Sequence, residues 1–359
     1  MTGKKYQVGV IGYGLSAKVF QIPFILASKG FELAAIVQRS GDSATQDHPS
    51  VRGYRSSEEL FCDAAIDVVV ISTPPTTHFG LAVSALHAGK HVIVEKPFCP
   101  SSSECNELIA LAESQQRVLT VFQNRRWDAD YTTLHDLLAR GALGRVVEFE
   151  SHFDRFDPIA PTHWAGNDAP GGGVIYDLGT HLLDQVLHIF GLPARVTGIL
   201  GSQRDNNARG PPDACTVLLH YDLGMLVTIK ASAISAVVDQ KRFFVRGDKG
   251  SFIKYHLDSQ EEQLTSGMQI SNPNFGKESS SNAGTLTLVK NGALHASPYP
   301  NLSPPTYTAF YDILSDALDG KCEVPVAARD ARNVIRLVEL AQESSDKGVT
   351  VSINFDGVQ

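Results

Sequence analysis

A short β-rich run, Gln7 to Ile11, passes directly into Gly12-Tyr13-Gly14-Leu15-Ser16-Ala17, and a helical pattern follows at once. A G-x-G-x-x-A turn wedged between a strand and a helix restricts the fold more than any other stretch of the chain, because it is the opening of a dinucleotide-binding βαβ unit. Gly12 permits the tight turn, Gly14 lets the backbone approach a pyrophosphate, and Ala17 keeps the helix close to the sheet. A diphosphate would then meet free N–H groups and the positive end of a helix.

The alternation continues for over a hundred residues. Strands are expected at Phe31 to Val37, Ile66 to Ser72, Val92 to Glu95 and Val118 to Phe122. Helices are expected at Lys18 to Ser28 (kinked or shortened by Pro23), Ser56 to Cys62, Thr77 to Ala88 and Ser102 to Gln115. Ile66 to Ser72 is an apolar run with β-branched bias, broken by Asp67 and closed by Ser72, as strands buried on both faces are. The fold class is therefore α/β, a doubly wound parallel sheet.

The pattern changes near Asn124. After a helix from Tyr131 to Leu138, strands dominate: Val146 to Phe153, Val196 to Leu200, Thr216 to His220, Met225 to Ala231, Lys241 to Arg246 and Gly250 to Lys254. Short turn signals between several of them predict an antiparallel sheet, and so an α+β second domain. Residues 259–301, rich in Ser, Asn and Gly, read as long excursions or a partner-facing arm. Helices at Tyr307 to Ala317 and Ala327 to Ser345, then a strand at Val349 to Phe355, close the pattern. The division is 1–123 for dinucleotide binding and 124–359 for substrate binding and assembly.

Of 359 residues, 31 are basic and 39 acidic, a formal charge of −8 that argues against a nucleic-acid or anionic-membrane surface. No apolar run approaches the roughly 20 residues needed to span a bilayer. The five cysteines have no zinc-like spacing and the histidines no short ligand motif, so no metal is expected. An odd cysteine count without an apolar leader fits a reducing compartment, and the terminal Gly357-Val358-Gln359 is no peroxisomal address; the cytoplasm is the expected location.

Cofactor choice is read at the end of the second strand. An acid there would bind the ribose hydroxyls of NAD and repel a 2′-phosphate. The chain has Gln38-Arg39-Ser40-Gly41 instead, with no carboxylate before Asp42. Arg39 can fork onto a phosphate and Ser40 can donate to it, so NADP(H) is expected over NAD(H).

Three residues carry the expected chemistry. Lys96 follows a buried strand in Glu95-Lys96-Pro97, which puts it at the carboxyl edge of the sheet, where open α/β folds bind ligands. There it can stabilise negative charge on a substrate oxygen. Asp177 and His181, four apart after Gly171-Gly172-Gly173, are expected on one face of a helix's first turn. The imidazole suits proton exchange with an alcohol or carbonyl, and the carboxylate can orient it or bind a substrate hydroxyl.

These residues resemble the glucose–fructose oxidoreductase / inositol dehydrogenase / rhizopine-catabolism family (Gfo/Idh/MocA) along nearly the whole chain. The likeness rests on Gly12-Tyr13-Gly14, Thr73-Pro74 with His78, Ala88-Gly89-Lys90-His91-Val92 leading to Glu95-Lys96-Pro97, Asn124-Arg125-Arg126-Trp127, and Gly171-Gly172-Gly173 with Asp177, Gly179, His181 and Asp184. The resemblance implies a Rossmann domain followed by an open-faced, mostly antiparallel sheet that often forms a homodimer or homotetramer. It implies that Lys96, Asp177 and His181 are the catalytic trio. It gives Thr73, Pro74, His78, Glu95 and Asn124 cofactor-lining roles, and Arg125 and Trp164 places in the substrate pocket. The motifs look closest to the NADP-dependent scyllo-inositol dehydrogenase branch, although Ala165 stands where that branch usually has a basic residue after the Trp. The implied activity is oxidation of a secondary alcohol on a cyclic polyol or sugar. Alternatives are reduction of a keto or imine group in a secondary metabolite, a non-enzymatic dinucleotide sensor, and the family's hydrolytic branch, against which the NADP-like Gln38-Arg39 argues.

Overall fold

Six strands come from the first third of the chain: β1 (Tyr6–Ile11), β2 (Phe31–Val37), β3 (Arg52–Tyr54), β4 (Val68–Ile71), β5 (His91–Glu95) and β6 (Leu119–Phe122). All run parallel, in the order β3-β2-β1-β4-β5-β6. The four residues of β4 are at most 1% exposed, so β-branched side chains fill both faces as a doubly covered sheet requires. Two covering helices start at capping boxes, Ser56 with Glu59 and Ser101 with Glu104. Each box satisfies orphan N–H groups reciprocally and fixes where the chain turns back toward the sheet. The strand order reverses between β1 and β4, so Gly12 and Thr73, just past their ends, lie at the switch point where such sheets bind ligands.

This computed structural model describes residues 5–166, 169–204, 210–303 and 305–353. It divides into two compact units: Met1–Trp127 with Glu262–Phe275 and Pro305–Arg332, and Asp128–Glu261 with Gly276–Pro304 and Asn333–Gln359. The second unit holds β7 (Val146–Asp154), β8 (Arg195–Gly201), β9 (Ala214–His220), β10 (Leu226–Ser232), β11 (Lys241–Gly247), β12 (Gly250–Tyr255), β13 (Gly284–Lys290), β14 (Ala293–Tyr299) and β15 (Val351–Ser352). Their order is β14-β13-β12-β11-β7-β10-β9-β8-β15. Along the central strands one set of alternate residues is buried, among them Phe149, Val217, Leu219, Val227, Ile229, Phe243 and Val245. Helix Thr180–Phe190 packs on this sheet: the Phe149 and Phe190 rings meet edge to face, 5.2 Å between centroids.

The second sheet is mostly antiparallel, as expected, with β7 and β10 the parallel pair. Other expectations from the sequence need correction. Residues 259–301, expected as long excursions or a partner-facing arm, hold helix Gln260–Thr265 and the hairpin β13–β14. The first helix is not one α-helix from Lys18. A π turn, Ala17–Gln21, precedes an α segment, Ile22–Ala27, and Pro23 sits in that segment's first turn, where its missing N–H matters little. The closing strand is reduced to β15, and the end of the expected 349–355 run lies outside the described residues.

Candidate functional site

The nucleotide turn sits as its residue types require. Gly12 has φ +97°, and a Cβ there would lie 2.2 Å from the Ser72 carbonyl oxygen, so only glycine fits. Around Gly14 a Cβ would meet nothing within 4 Å, and Leu15 beside it is 67% exposed. Ala17 is fully buried, as expected for the third position of the motif. Tyr13 donates to Asp47 at 2.8 Å, and Lys18 pairs with the same carboxylate at 3.2 Å. The turn thus offers open backbone where a dinucleotide's diphosphate needs it, and its shape fits that group.

At the end of β2 the Gln38 amide is folded into its own loop. Its Nε2 donates to Ser43 Oγ at 3.0 Å and its Oε1 accepts from the Ala44 N–H at 2.8 Å. Arg39 and Ser40 are exposed at the tip.

At the end of β5, Glu95 is buried. Its carboxylate accepts from Ser16 Oγ, from Gln21 Nε2 at 2.5 Å and from the Lys96 N–H at 3.2 Å. Burial pushes its pKa above the usual carboxylate range; the Ser16 and Gln21 hydrogen bonds and the Lys96 charge oppose that rise without cancelling it. Gln21 in turn accepts from the Tyr311 hydroxyl, whose pKa burial first and the Glu95 charge second raise well above the ordinary value. The other side of the Lys96 loop is held by His78. Its Nδ1 lies 3.0 Å from Pro97 O and 3.2 Å from Phe98 O, and its Nε2 lies 2.9 Å from Thr73 O. The ring has no exposed surface, and burial holds its pKa below the ordinary imidazole value despite three facing carbonyls. Its part in the site is to tie the Thr73 backbone to that of Pro97 and Phe98. Thr73 and Thr77 share a hydrogen bond of 2.7 Å, and Pro74 is exposed beside them. Asn124 and Arg125 follow β6 in a buried turn, Asn124–Trp127.

In the second unit Asp177 lies in a π turn, Ile175–Gly179, and His181 is the second residue of helix Thr180–Phe190. The expected plain α start is therefore corrected. A π turn closes from i to i+5, so four residues fall just short of one turn where an α-helix would overshoot it. The turn is entered through Gly171 and Gly173, both at positive φ. Asp177 is half-buried, and His181 is 5% exposed with its ring 6.3 Å from that of Phe153. Asp177 lines a cavity of about 420 Å3 within this unit, of a size that encloses small ligands. Arg155, His163 and Asp157 supply polar groups there; Pro158, Ile159, Pro161, Pro211 and Pro212 supply apolar wall. His181 and Trp164 are not among its lining residues. Among the described residues no group of three or more His, Cys, Asp or Glu is placed to hold a metal ion.

The parts played by Gln21 and Tyr311 are not legible in the sequence. Only Gln21 left a trace, as a polar residue inside the apolar run 19–25.

Comparison with known proteins agrees with this architecture. Residues 6–123 match the family description "Oxidoreductase family, NAD-binding Rossmann fold", and residues 135–353 match its "C-terminal alpha/beta domain". The chain is 42% identical to the uncharacterized oxidoreductase YdgJ of Escherichia coli strain K12 over 97% of its length and 98% of that protein. It is 30% identical to IolW of Bacillus subtilis strain 168, a scyllo-inositol 2-dehydrogenase (NADP(+)), over 97% and 96%. Among solved structures it superimposes on YvaA of Bacillus subtilis with a TM-score of 0.93 at 29% identity, covering 98% and 99% of the two chains. YPO2259 of Yersinia pestis gives 0.92 at 38%, covering 99% of each. The chain belongs to the Gfo/Idh/MocA family of NAD(P)-binding oxidoreductases.

Proposed function

We propose that the protein interconverts a secondary alcohol and a ketone on a cyclic polyol or sugar, with NADP(H) preferred over NAD(H). The observation that carries the substrate side is Asp177: a half-buried carboxylate at the wall of a ligand-sized cavity, one helical turn before a buried histidine. The NADP preference is supported by the Gln38 amide, which is turned into its own loop while Arg39 and Ser40 stand exposed. The likeness to the NADP-linked scyllo-inositol dehydrogenase supports both.

In this reading residues 1–123 bind the dinucleotide and 124–359 bind substrate and assemble the oligomer. Gly12, Tyr13, Gly14, Leu15, Ser16 and Ala17 hold the diphosphate. Thr73, Pro74, Glu95 and Asn124 line the rest of the cofactor site, with His78 as its buried support. Bound nicotinamide supplies or accepts the hydride. Lys96 hydrogen-bonds the reacting oxygen and offsets charge building on it. His181 gives or takes the hydroxyl proton, and Asp177 orients the ring or the substrate. Arg125 and Trp164 complete the substrate pocket. Ile199, Leu226 and Tyr255, exposed on one face of the nine-stranded sheet, support a homodimer or homotetramer through that face.

The test is consumption of reduced or oxidised nicotinamide across inositols and aldoses with each cofactor. A second reading, reduction of a keto or imine group in a secondary metabolite, is favoured by the proline-rich wall of the cavity. It replaces the first if polyols and sugars are inert while such acceptors consume NADPH.

A further inference from the structure

β2 and β3 run parallel, with Val37 beside Tyr54 and the Gln38 N–H donating to Tyr54 O at 3.0 Å. Arg55 therefore leaves β3 alongside the loop that leaves β2. Its Nη1 donates to Gln38 O at 3.2 Å and to Gly41 O, and its Nη2 pairs with the Asp42 carboxylate. Asp42 is the one carboxylate in the stretch 38–43. One guanidinium thus collects two carbonyl oxygens and a carboxylate, the groups of this loop that would repel an incoming phosphate. The pair is open to water, with 59% of the Arg55 side chain and 62% of the Asp42 side chain exposed. An ion pair that exposed adds little to stability.

With those groups drawn to Arg55 and the Gln38 amide occupied by Ser43 and Ala44, Arg39 and Ser40 form the exposed tip of a loop whose negative charge is masked. We infer that Arg55 is a cofactor-specificity residue: it masks Asp42 and the loop carbonyls, and so lets the loop after β2 accept the 2′-phosphate of NADP. The inference rests on the NADP(H) reading above. Without Arg55, Asp42 becomes a free carboxylate near the ribose end of the site. There it repels a 2′-phosphate and can accept hydrogen bonds from the two hydroxyls of NAD.

The test is fluorescence titration of the full chain with NADPH and with NADH, at fixed low ionic strength, because the screening length grows as salt falls. Arg55→Gln should lower the NADPH-over-NADH affinity ratio roughly tenfold, since a cation is lost and an anion uncovered beside a phosphate. NADH affinity should stay the same or improve, which also reports that the site is still folded. Asp42→Asn added to Arg55→Gln should restore most of the ratio. A wild-type protein that binds NADH more tightly would overturn the NADP reading itself. A wild type preferring NADPH whose ratio survives Arg55→Gln overturns this inference alone. So does a ratio that falls but is not restored by Asp42→Asn, because Arg55 would then act without Asp42.

Discussion

The Gln21 amide donates to the buried Glu95 carboxylate at 2.5 Å while its carbonyl oxygen accepts from Tyr311. The two bonds fix each other. A carboxylate cannot face an amide oxygen without repulsion, so the Gln21 nitrogen must point at Glu95, and its oxygen is left for the tyrosine hydroxyl. Tyr311 is held in turn by edge-to-face rings, Phe31 at 5.8 Å and Phe310 at 5.3 Å between centroids. The π turn at Ala17–Gln21 aims Gln21 at Glu95, which also receives the Ser16 hydroxyl and the Lys96 N–H. The nucleotide turn and the lysine loop therefore share one carboxylate.

Gln21→Leu removes the donor without emptying the volume. It should lower stability by about 1–3 kcal/mol, the penalty for a buried polar group left unpaired. Dinucleotide affinity should fall with it, because Ser16 and Lys96 lose a fixed anchor. Thermal melting and NADPH titration read the two effects. An unchanged melting temperature would show that Glu95 does not depend on this bond.

Gly12→Ala should damage both the fold of the first unit and its dinucleotide binding. Its backbone lies at φ +97°, and the new Cβ would sit 2.2 Å from Ser72 O, so the turn or the end of β4 must move. Strain of this kind costs on the order of 1–3 kcal/mol, and the displaced turn should lose dinucleotide binding. Calorimetry with and without NADPH checks it: the variant should lose the ligand-induced rise in melting temperature that binding gives the wild type.

What the sequence made legible was local. β4 could be placed because a buried parallel strand shows as an unbroken β-branched run, and Gly12 because its turn demands a residue without a side chain. The β13–β14 hairpin stayed hidden because Ala293 to Pro298 are exposed, so no apolar alternation marks the strand. It is held by backbone pairing that the composition does not record. The Tyr311–Gln21 bond joins residues 290 positions apart and leaves no periodic signal. The π turns at Ala17–Gln21 and Ile175–Gly179 look like ordinary helix in the sequence because i→i+5 closure has no residue signature.

His181→Ala should lower kcat by about 10²–10⁴-fold, the usual contribution of a general acid–base. Lys96→Met should lower it by about 10²–10³-fold if the ammonium stabilises the reacting oxygen. Combined, the two losses should be less than multiplicative, because residues that act as a unit are not independent. NADPH binding should survive His181→Ala. A variant that kept wild-type turnover would remove His181 from the mechanism.

Acid should weaken the first unit through His91. Its Nδ1 accepts the Val118 N–H at 2.9 Å, which requires that nitrogen to be unprotonated. Burial first, and the Arg117 charge second, hold its pKa below the usual value. A depressed folded pKa means the unfolded chain binds the extra proton first. The stabilisation is complete above the unfolded value of about 6.5 and is lost as pH falls toward the folded pKa, at up to about 1.4 kcal/mol per pH unit for one proton. His78, also buried and depressed, adds to the same slope. Melting temperatures taken from pH 7.5 down to 5 should fall less steeply for His91→Asn, whose amide oxygen can accept the same bond. A parallel fall in both proteins would assign the acid sensitivity elsewhere.

In the second unit Arg242 is a buried cation held by a buried partner. The Arg242 and Asp130 side chains are 1% and 0% exposed and meet at 2.7 Å. The guanidinium also donates to Ser151 Oγ at 2.9 Å and to Gln185 Oε1 at 2.8 Å, and stacks on the Phe243 ring at 3.9 Å. Gln185 lies on the helix that carries His181, so this cation ties that helix to β7, β11 and helix Ala129–Ala139. Removing one partner leaves a buried charge uncompensated, which costs about 3–5 kcal/mol, whereas replacing both with apolar residues can be nearly neutral. Arg242→Met should therefore destabilise strongly, and Asp130→Leu added to it should recover much of the loss in urea unfolding. If His181 carries the proton as proposed, the double variant should fold yet turn over more slowly than the wild type, because its helix has lost that tie. Full activity in that variant would show that packing alone positions the helix.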